Sequence, residues 1–98
     1  MNLIYHIVPA ADWQKQAGAS TYEAPSLQTE GFIHLSTKEQ VAGTLSRYYQ
    51  DVPDLLLLHV DTGKLTSELK FELATNNEAF PHLYGPLNKE AVVHIETL

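Results

Sequence analysis

Five histidines are the residues of this 98-residue chain with the most potential for chemistry. His6 and His34 lie at the ends of predicted strands, beside a turn or a helix start, where functional sites tend to form. His82 lies in a segment bounded by two prolines, which restrict the backbone and would present the ring rigidly. His59 and His94 fall inside strand-like runs, where a histidine usually packs as a core or edge residue. The first three are therefore the candidates for function.

Several kinds of chemistry are open to these imidazoles. A metal-dependent hydrolase built on His6, His34 and His82 would need distant segments to converge, because the chain has no H-x-H and no histidine pair at i, i+4 spacing. A hydrolytic triad is disfavoured because Ser36 has no nucleophile-elbow glycines around it. The chain has no cysteine, which excludes thiolate nucleophiles and cysteine-ligated zinc. A cleft for a small molecule is the remaining interpretation.

The start of one predicted helix offers a place for an anionic group. Ser36 and Thr37 directly follow a predicted strand, and the spacing from Ser36 to Glu39 predicts a capping box. Amides and hydroxyls at the positive end of a helix can hold a pyrophosphate without a lysine-rich patch, although simple capping also explains Ser36. Glu30 and Glu72 are the acids best placed near the other elements, and Glu72 shares the polar face of a predicted strand.

Strands and helices alternate along the chain. The unbroken apolar run at 55–60 predicts a central strand covered on both faces. Small polar residues over 19–31 predict a loop, and two prolines with a glycine predict a rigid irregular segment over 80–87. The other predicted elements are strands at 3–8, 32–35, 69–73 and 91–96 and helices at 10–17 and 37–49, the second burying Val41, Leu45 and Tyr48. The absence of repeats and linkers predicts one α+β domain over residues 1–98.

Charge and hydropathy exclude several classes of partner. Six Lys and Arg against twelve Asp and Glu leave a net charge of −6, and Arg47 is the single arginine. Binding to nucleic-acid phosphates or to an anionic membrane needs a clustered basic surface, so we expect neither partner. The chain does not open with a signal-peptide pattern, and no apolar run approaches the roughly 18 residues that span a bilayer. We therefore expect a cytoplasmic protein.

Two long motifs carry a family resemblance. The stretches EGFIHLST at 30–37 and FPHLYGPL at 80–87, together with Ile4-Tyr5-His6, resemble the small bacterial family known as domain of unknown function 952. That family is grouped with the ADP-ribosyltransferase-like superfamily, whose split and strongly bent sheet grips NAD in its cleft. The resemblance implies such a sheet with two main helices, and it implies NAD as cofactor.

The resemblance also implies roles for individual residues. His6 matches the superfamily histidine that hydrogen-bonds an NAD ribose, and His34 and Ser36 match the second strand motif. ADP-ribosyl transfer commonly uses a late glutamate to stabilise an oxocarbenium-like transition state and to orient the acceptor. Glu72 is the candidate for that glutamate because of its order along the chain.

The leading hypothesis is a small ADP-ribosyltransferase-like enzyme that binds NAD or another small anionic or nucleotide ligand in a histidine-lined cleft. Ser36 joins His6 in holding ribose and phosphates, Tyr84 stacks on a ring, and Glu72 or His82 is the general base. The alternative is a noncatalytic module for a small anion or a protein partner, favoured by the lack of a persuasive nucleophile. The candidate residues are Glu72 and His82 for catalysis, and His6, His34, Ser36, Thr37 and Tyr84 for ligand binding.

Overall fold

The computed structural model describes residues 2–98 as an α+β fold made mostly of strands, which confirms the α+β class of the prediction. The strands are β1 (Leu3–Pro9), β2 (Thr21–Tyr22), β3 (Ile33–His34), β4 (Leu55–Asp61), β5 (Glu68–Leu73), β6 (Ala79–Tyr84), β7 (Leu87–Asn88) and β8 (Val92–Thr97). The α-helices are α1 (Ala10–Lys15), α2 (Pro25–Glu30) and α3 (Val41–Tyr48). Short 3-10 segments lie at Lys38–Gln40, Thr62–Lys64, Thr75–Asn77 and Lys89–Ala91.

The first sheet has the antiparallel strand order β1-β4-β8, so the apolar run of β4 is central as predicted. Alternate β4 side chains serve two different cores. Leu58 and Val60 lie in the main core, where both are fully buried. Leu55 and Leu57 face the other way and pack with residues of α3. Because both faces of β4 are covered, no polar alternation interrupts its apolar run.

The second sheet has the order β3-β6-β5, and its middle strand is the segment that the sequence predicts as irregular. That prediction is wrong for residues 80–84, which belong to β6 despite Pro81. The Pro81 carbonyl accepts from the Leu35 amide at 3.0 Å, so the side of Pro81 that lacks an N–H faces β3 just beyond its end. Pro81 therefore removes no hydrogen bond between β6 and β5.

The predicted loop over 19–31 contains two ordered elements. β2 pairs with β7 in a two-stranded sheet, and α2 begins with Pro25 at its first turn. Gly31 ends α2 in the left-handed conformation with φ of 86°. Proline at the start and glycine at the end delimit a helix of only six residues, which is too short to show an amphipathic period.

The start of the predicted helix 37–49 differs from the expected capping box. A 3-10 segment precedes α3, and Thr37 rather than Ser36 is its N-cap. The Gln40 side chain accepts from the Thr37 amide at 3.0 Å, so the box is displaced by one residue. The Ser36 amide donates to the Tyr5 carbonyl at 2.7 Å, so it is not available to the Glu39 side chain as the predicted box requires.

The buried face of α3 is partly the one that the sequence predicts. Val41 and Leu45 pack against the β1–β4 face as expected. Tyr49 completes this face, whereas the predicted Tyr48 is 59% exposed. The helical period is compatible with Tyr48, at i+7 from Val41, but Tyr49 is the C-cap with φ of −126°, so its direction depends on the turn that ends the helix.

Candidate functional site

A crossing between the two larger sheets brings His6 and His34 together. After pairing with β6, the chain crosses to the outer edge of β1, where Tyr5 and Ser36 exchange backbone hydrogen bonds of 2.8 and 2.7 Å. This crossing places the His34 carbonyl 2.7 Å from Nδ1 of His6. The ring of His6 is therefore hydrogen-bonded to the backbone of His34, which joins two of the three candidate histidines.

A cleft of about 440 Å³ opens beside this crossing, along the outer edge of β1. Among the described residues that line it there is one carboxylate, Asp12, and no lysine or arginine. Thr37, Glu72, His82 and Tyr84 are not part of this described lining. Three residues of the predicted set, His6, His34 and Ser36, do line the cleft. Its aromatic walls include the rings of Tyr22, Tyr48, Tyr49 and Phe80.

His6 presents a defined tautomer to the cleft. A carbonyl can only accept, so Nδ1 of His6 carries the hydrogen that is donated to His34. In the neutral ring, Nε2 is then a hydrogen-bond acceptor. Burial lowers the pKa of His6 from 6.5 to about 4, an effect that the hydrogen bond to the His34 carbonyl opposes only in part. The ring is therefore neutral near pH 7 and serves as an acceptor rather than a cation.

The backbone of Ile7 adds a second polar feature to the cleft. In an antiparallel strand, residues i and i+2 turn their amide and carbonyl groups to the same side. Tyr5 uses both groups at the outer edge of β1 to bond Ser36. Ile7, two residues further along and part of the cleft wall, therefore turns its N–H and C=O to the cleft side.

Ser36 and Thr37 are already bonded within the protein. The Ser36 amide donates to Tyr5, and its hydroxyl lies 3.2 Å from the Thr44 hydroxyl. The Thr37 amide donates to the side chain of Gln40. An anion at this helix start would have to displace these protein acceptors, so the two residues do not form an open phosphate cradle.

Glu72, His82 and Tyr84 lie together in a second group, which we call the His82 cluster and which also contains Phe32 and His34. Glu72 on β5 accepts from Nδ1 of His82 at 2.9 Å and from the Tyr84 hydroxyl. The ring centroid of His34 lies 5.3 Å from that of His82. His34 therefore belongs both to the cleft and to this cluster, while its Nε2 pairs with the candidate acid Glu30 at 3.0 Å.

Hydrogen bonds set the ionisation of the acid in the His82 cluster. Donation from Tyr84 and then from His82 holds the pKa of Glu72 below its usual value. The same hydrogen bond from Tyr84 to Glu72 raises the pKa of the phenol. Nε2 of His82 is buried and has no hydrogen-bond partner among residues 2–98. The cluster thus joins an ionised carboxylate to an imidazole with one unused nitrogen.

His59 and His94 lie apart from both groups, as the sequence suggests. They face each other across β4 and β8 with ring centroids 4.8 Å apart, and His59 pairs with Glu96 at 3.0 Å. The ring of Tyr5 packs against His59, whereas the next residue, His6, points to the opposite face of β1. The register that pairs Tyr5 with His59 and His59 with His94 therefore places these two histidines on the opposite face of the sheet from His6.

Several contributors to the site are absent from the predicted set. Phe32 shares a strand face with His34 by alternation, which is a signal that sequence patterns do contain. Tyr22 of β2, Tyr48 of α3 and Tyr49 directly after that helix also line the cleft and carry no such signal. Among the described residues, no three His, Asp or Glu side chains are grouped so as to hold a metal ion. No helix within residues 2–98 is long and apolar enough to cross a membrane.

Comparisons with known proteins agree with the motifs. The profile of the family described as protein of unknown function DUF952 matches residues 7–95. The crystal structure of protein CC0527 from Caulobacter crescentus is 34% identical to the chain with a TM-score of 0.91, covering 99% of this chain and 86% of that one. Its solution NMR structure gives 34% identity and a TM-score of 0.84, with 100% and 85% covered. No curated protein matches the sequence. The chain belongs to the DUF952 family.

Proposed function

We propose that the cleft beside β1 binds the nucleoside end of NAD or of a related nucleotide, and that the protein is an enzyme of the ADP-ribosyltransferase-like type. The observation that carries this proposal is the combination of a neutral acceptor, His6, with the edge of β1 in one aromatic-walled cleft. The superfamily resemblance of the strand motifs points to the same class of ligand.

The walls of the cleft suit a flat ring. Tyr22, Tyr48, Tyr49 and Phe80 contribute aromatic surfaces from three parts of the chain. Small-molecule pockets typically combine such apolar walls with a few placed polar groups, and aromatic rings favour offset or edge contacts with other rings. A volume of about 440 Å³ accommodates a nucleoside better than a complete dinucleotide.

The polar groups of the cleft match hydroxyl and carboxamide groups. Nε2 of His6 accepts from a ribose hydroxyl or an amide N–H. The N–H and C=O of Ile7 can bond the two ends of a carboxamide, as an unpaired strand edge bonds a neighbouring strand. Nicotinamide riboside carries both chemical groups, which supports NAD as the first ligand to test.

Charge determines which end of a nucleotide enters. The described lining offers Asp12 but no cation, and the amides of Ser36 and Thr37 are occupied. Phosphates placed inside would lose hydration without gaining a positive partner. The proposal therefore puts the ring and ribose in the cleft and leaves the phosphates in solvent.

Isothermal titration calorimetry with NAD, NADH and ADP-ribose tests the proposal. We expect NAD to bind, and we expect His6→Asn, which keeps a donor for the His34 carbonyl but removes the Nε2 acceptor, to weaken binding by at least about tenfold, or about 1.4 kcal/mol. His94→Asn is the matched control, because His94 is also a strand histidine but lies outside the described lining. Absence of heat with all three ligands at millimolar concentration would refute the nucleotide proposal.

A noncatalytic binding module is the second candidate function. The position of the two predicted catalytic residues favours it, because Glu72 and His82 do not line the described cleft. His34, which does line the cleft, lies between them and it, with its ring centroid 5.3 Å from that of His82. Incubation with NAD separates the two candidates, since an enzyme releases nicotinamide over time and a binding module does not. Binding without release would leave the cleft proposal intact and remove the enzyme.

A further inference from the structure

Strand β5 is an open edge of the second sheet. The sheet order is β3-β6-β5, and among residues 2–98 no strand pairs with the outer side of β5. The Ala74 amide donates to the Glu78 carbonyl at 2.9 Å, which continues the ladder between β5 and β6. Because residues i and i+2 of a strand turn their backbone groups to the same side, Glu72 and Lys70 also face β6. The residues that turn their N–H and C=O groups outward are Leu69, Phe71 and Leu73.

The side chains of the same three residues share one face of β5. Leu69 packs against the main core, whereas Phe71 and Leu73 are 55% and 72% exposed. The unpaired backbone of this edge therefore lies beside an exposed apolar surface. Such an edge is a template for another strand, and native proteins usually shorten, bend or cover it.

The sequence of β5 is complementary to a second, antiparallel copy of itself. With a twofold axis at Phe71, this residue faces its own equivalent, and Leu69 of one copy faces Leu73 of the other. The outward backbone groups of these facing residues can then bond each other. On the other face of the strand, the same register sets Lys70 opposite Glu72 of the second copy. Opposite charges placed across a strand pair stabilise it.

Other registers match less well. A shift of the axis by one residue would set Lys70 opposite Lys70, or Glu72 opposite Glu72, and like charges directly opposite are destabilising. An axis two residues earlier would pair Lys70 with Glu68. It would set Phe71 opposite Ser67, however, so the apolar side chains would lose their partners. Charge and apolar contact together therefore favour the axis at Phe71.

The other long outer edges within residues 2–98 are less regular. β8 contains an extra residue, Val93, where its register with β4 shifts. Such a bulge bends a strand and hinders edge-to-edge pairing. The outer edge of β1 is paired with Ser36 at Tyr5. Pairing through one self-complementary edge closes as a dimer, because both partners use the same surface.

We propose that a second copy of this chain pairs with β5, so that the second sheets of both copies form one continuous sheet. Lys70 of each copy pairs with Glu72 of the other. Because Glu72 also accepts from His82 and Tyr84, the dimer brings a cation from the second copy to the carboxylate of the His82 cluster. The interface does not use the cleft beside β1, so the proposal is independent of nucleotide binding.

Sedimentation equilibrium over a concentration series that reaches the millimolar range tests the proposal. A strand of six residues forms a small interface, so we expect the dimer in concentrated solution and the monomer in dilute solution. Lys70→Glu sets a glutamate opposite Glu72 and is expected to raise the dissociation constant of the dimer at least about tenfold. Lys15→Glu is the matched control, because Lys15 is an exposed lysine on α1. A wild type that stays monomeric throughout, or a dimer that Lys70→Glu does not weaken, would overturn the proposal.

Disulfide trapping tests the register. The chain has no cysteine, so a single introduced cysteine reports on one contact. In oxidised glutathione, Phe71→Cys is expected to form a covalent dimer, because facing Cα atoms lie about 5.5 Å apart, within disulfide range. Leu73→Cys is the matched control: its side chain is more exposed, but the two copies of residue 73 are offset by roughly 13 Å along the ladder. Equal yields from the two variants would indicate random collision and refute the pairing at Phe71.

Discussion

Acidification is expected to destabilise the protein through His6. The folded-state pKa of this buried ring is about 4, below the ordinary 6.5 of an unfolded chain. The unfolded chain therefore takes up a proton first as the pH falls, so the stabilisation from neutral His6 is complete above pH 6.5 and is lost towards pH 4. With about 1.4 kcal/mol per pKa unit, this contribution amounts to about 3 kcal/mol.

The substitution His6→Asn isolates this contribution. The Asn side-chain amide can donate to the His34 carbonyl as Nδ1 does, but it does not titrate. In urea unfolding, the free energy of unfolding of the wild type should fall relative to that of the variant as the pH is lowered. The expected loss is about 1 kcal/mol by about pH 5.5 and about 2–3 kcal/mol by about pH 4.5. His94→Asn, which removes an exposed histidine, should follow the wild-type curve. Parallel curves for the wild type and His6→Asn would refute the assignment of a buried, neutral His6.

Three further substitutions test packing and backbone geometry, with urea unfolding as the measurement. Leu58→Ala should lower the free energy of unfolding by about 2–5 kcal/mol because Leu58 is fully buried, whereas Leu73→Ala, at 72% exposed, should change it by less than about 0.5 kcal/mol. Gly85→Ala should lower the free energy of unfolding by about 1–3 kcal/mol because the added Cβ would lie 2.4 Å from the Ser67 hydroxyl oxygen. The additional substitution Ser67→Gly should recover part of this loss. No recovery would contradict the steric explanation. Asn88→Ala should cost about 1–3 kcal/mol because the buried Asn88 side chain bonds a backbone amide at 3.1 Å and a carbonyl at 2.8 Å.

The fold is most predictable where one local signal decides the structure. The apolar run of β4 requires cover on both faces, a pattern typical of a central strand, and β4 is central here. Pro81 shows the opposite case. Its ring removes a donor, and the sequence cannot tell whether a neighbouring strand needs that donor. The answer depends on where β3 ends, which is a property of the sheet rather than of the segment.

The candidate site is predictable in its residue types but not in its grouping. Strand alternation places Tyr5 and His6 on opposite faces of β1, but the pairing of Tyr5 with His59 is needed to show that His59 and His6 also lie on opposite faces. The meeting of His6 with His34 depends on a chain crossing between two sheets, 28 residues apart in sequence. No local pattern encodes that crossing. The division of the predicted set between the cleft and the His82 cluster therefore becomes visible only in three dimensions.

The partners of His6 and His82 suit these two rings to different tasks. Each ring donates from Nδ1 and leaves Nε2 available, but His6 donates to a carbonyl and His82 to a carboxylate. The single carbonyl that accepts from His6 does not offset the cost of burying a charged ring. His6 is therefore suited to recognise a donor without taking its proton. His82 is instead held in its orientation by the ionised Glu72 carboxylate, which accepts from its Nδ1.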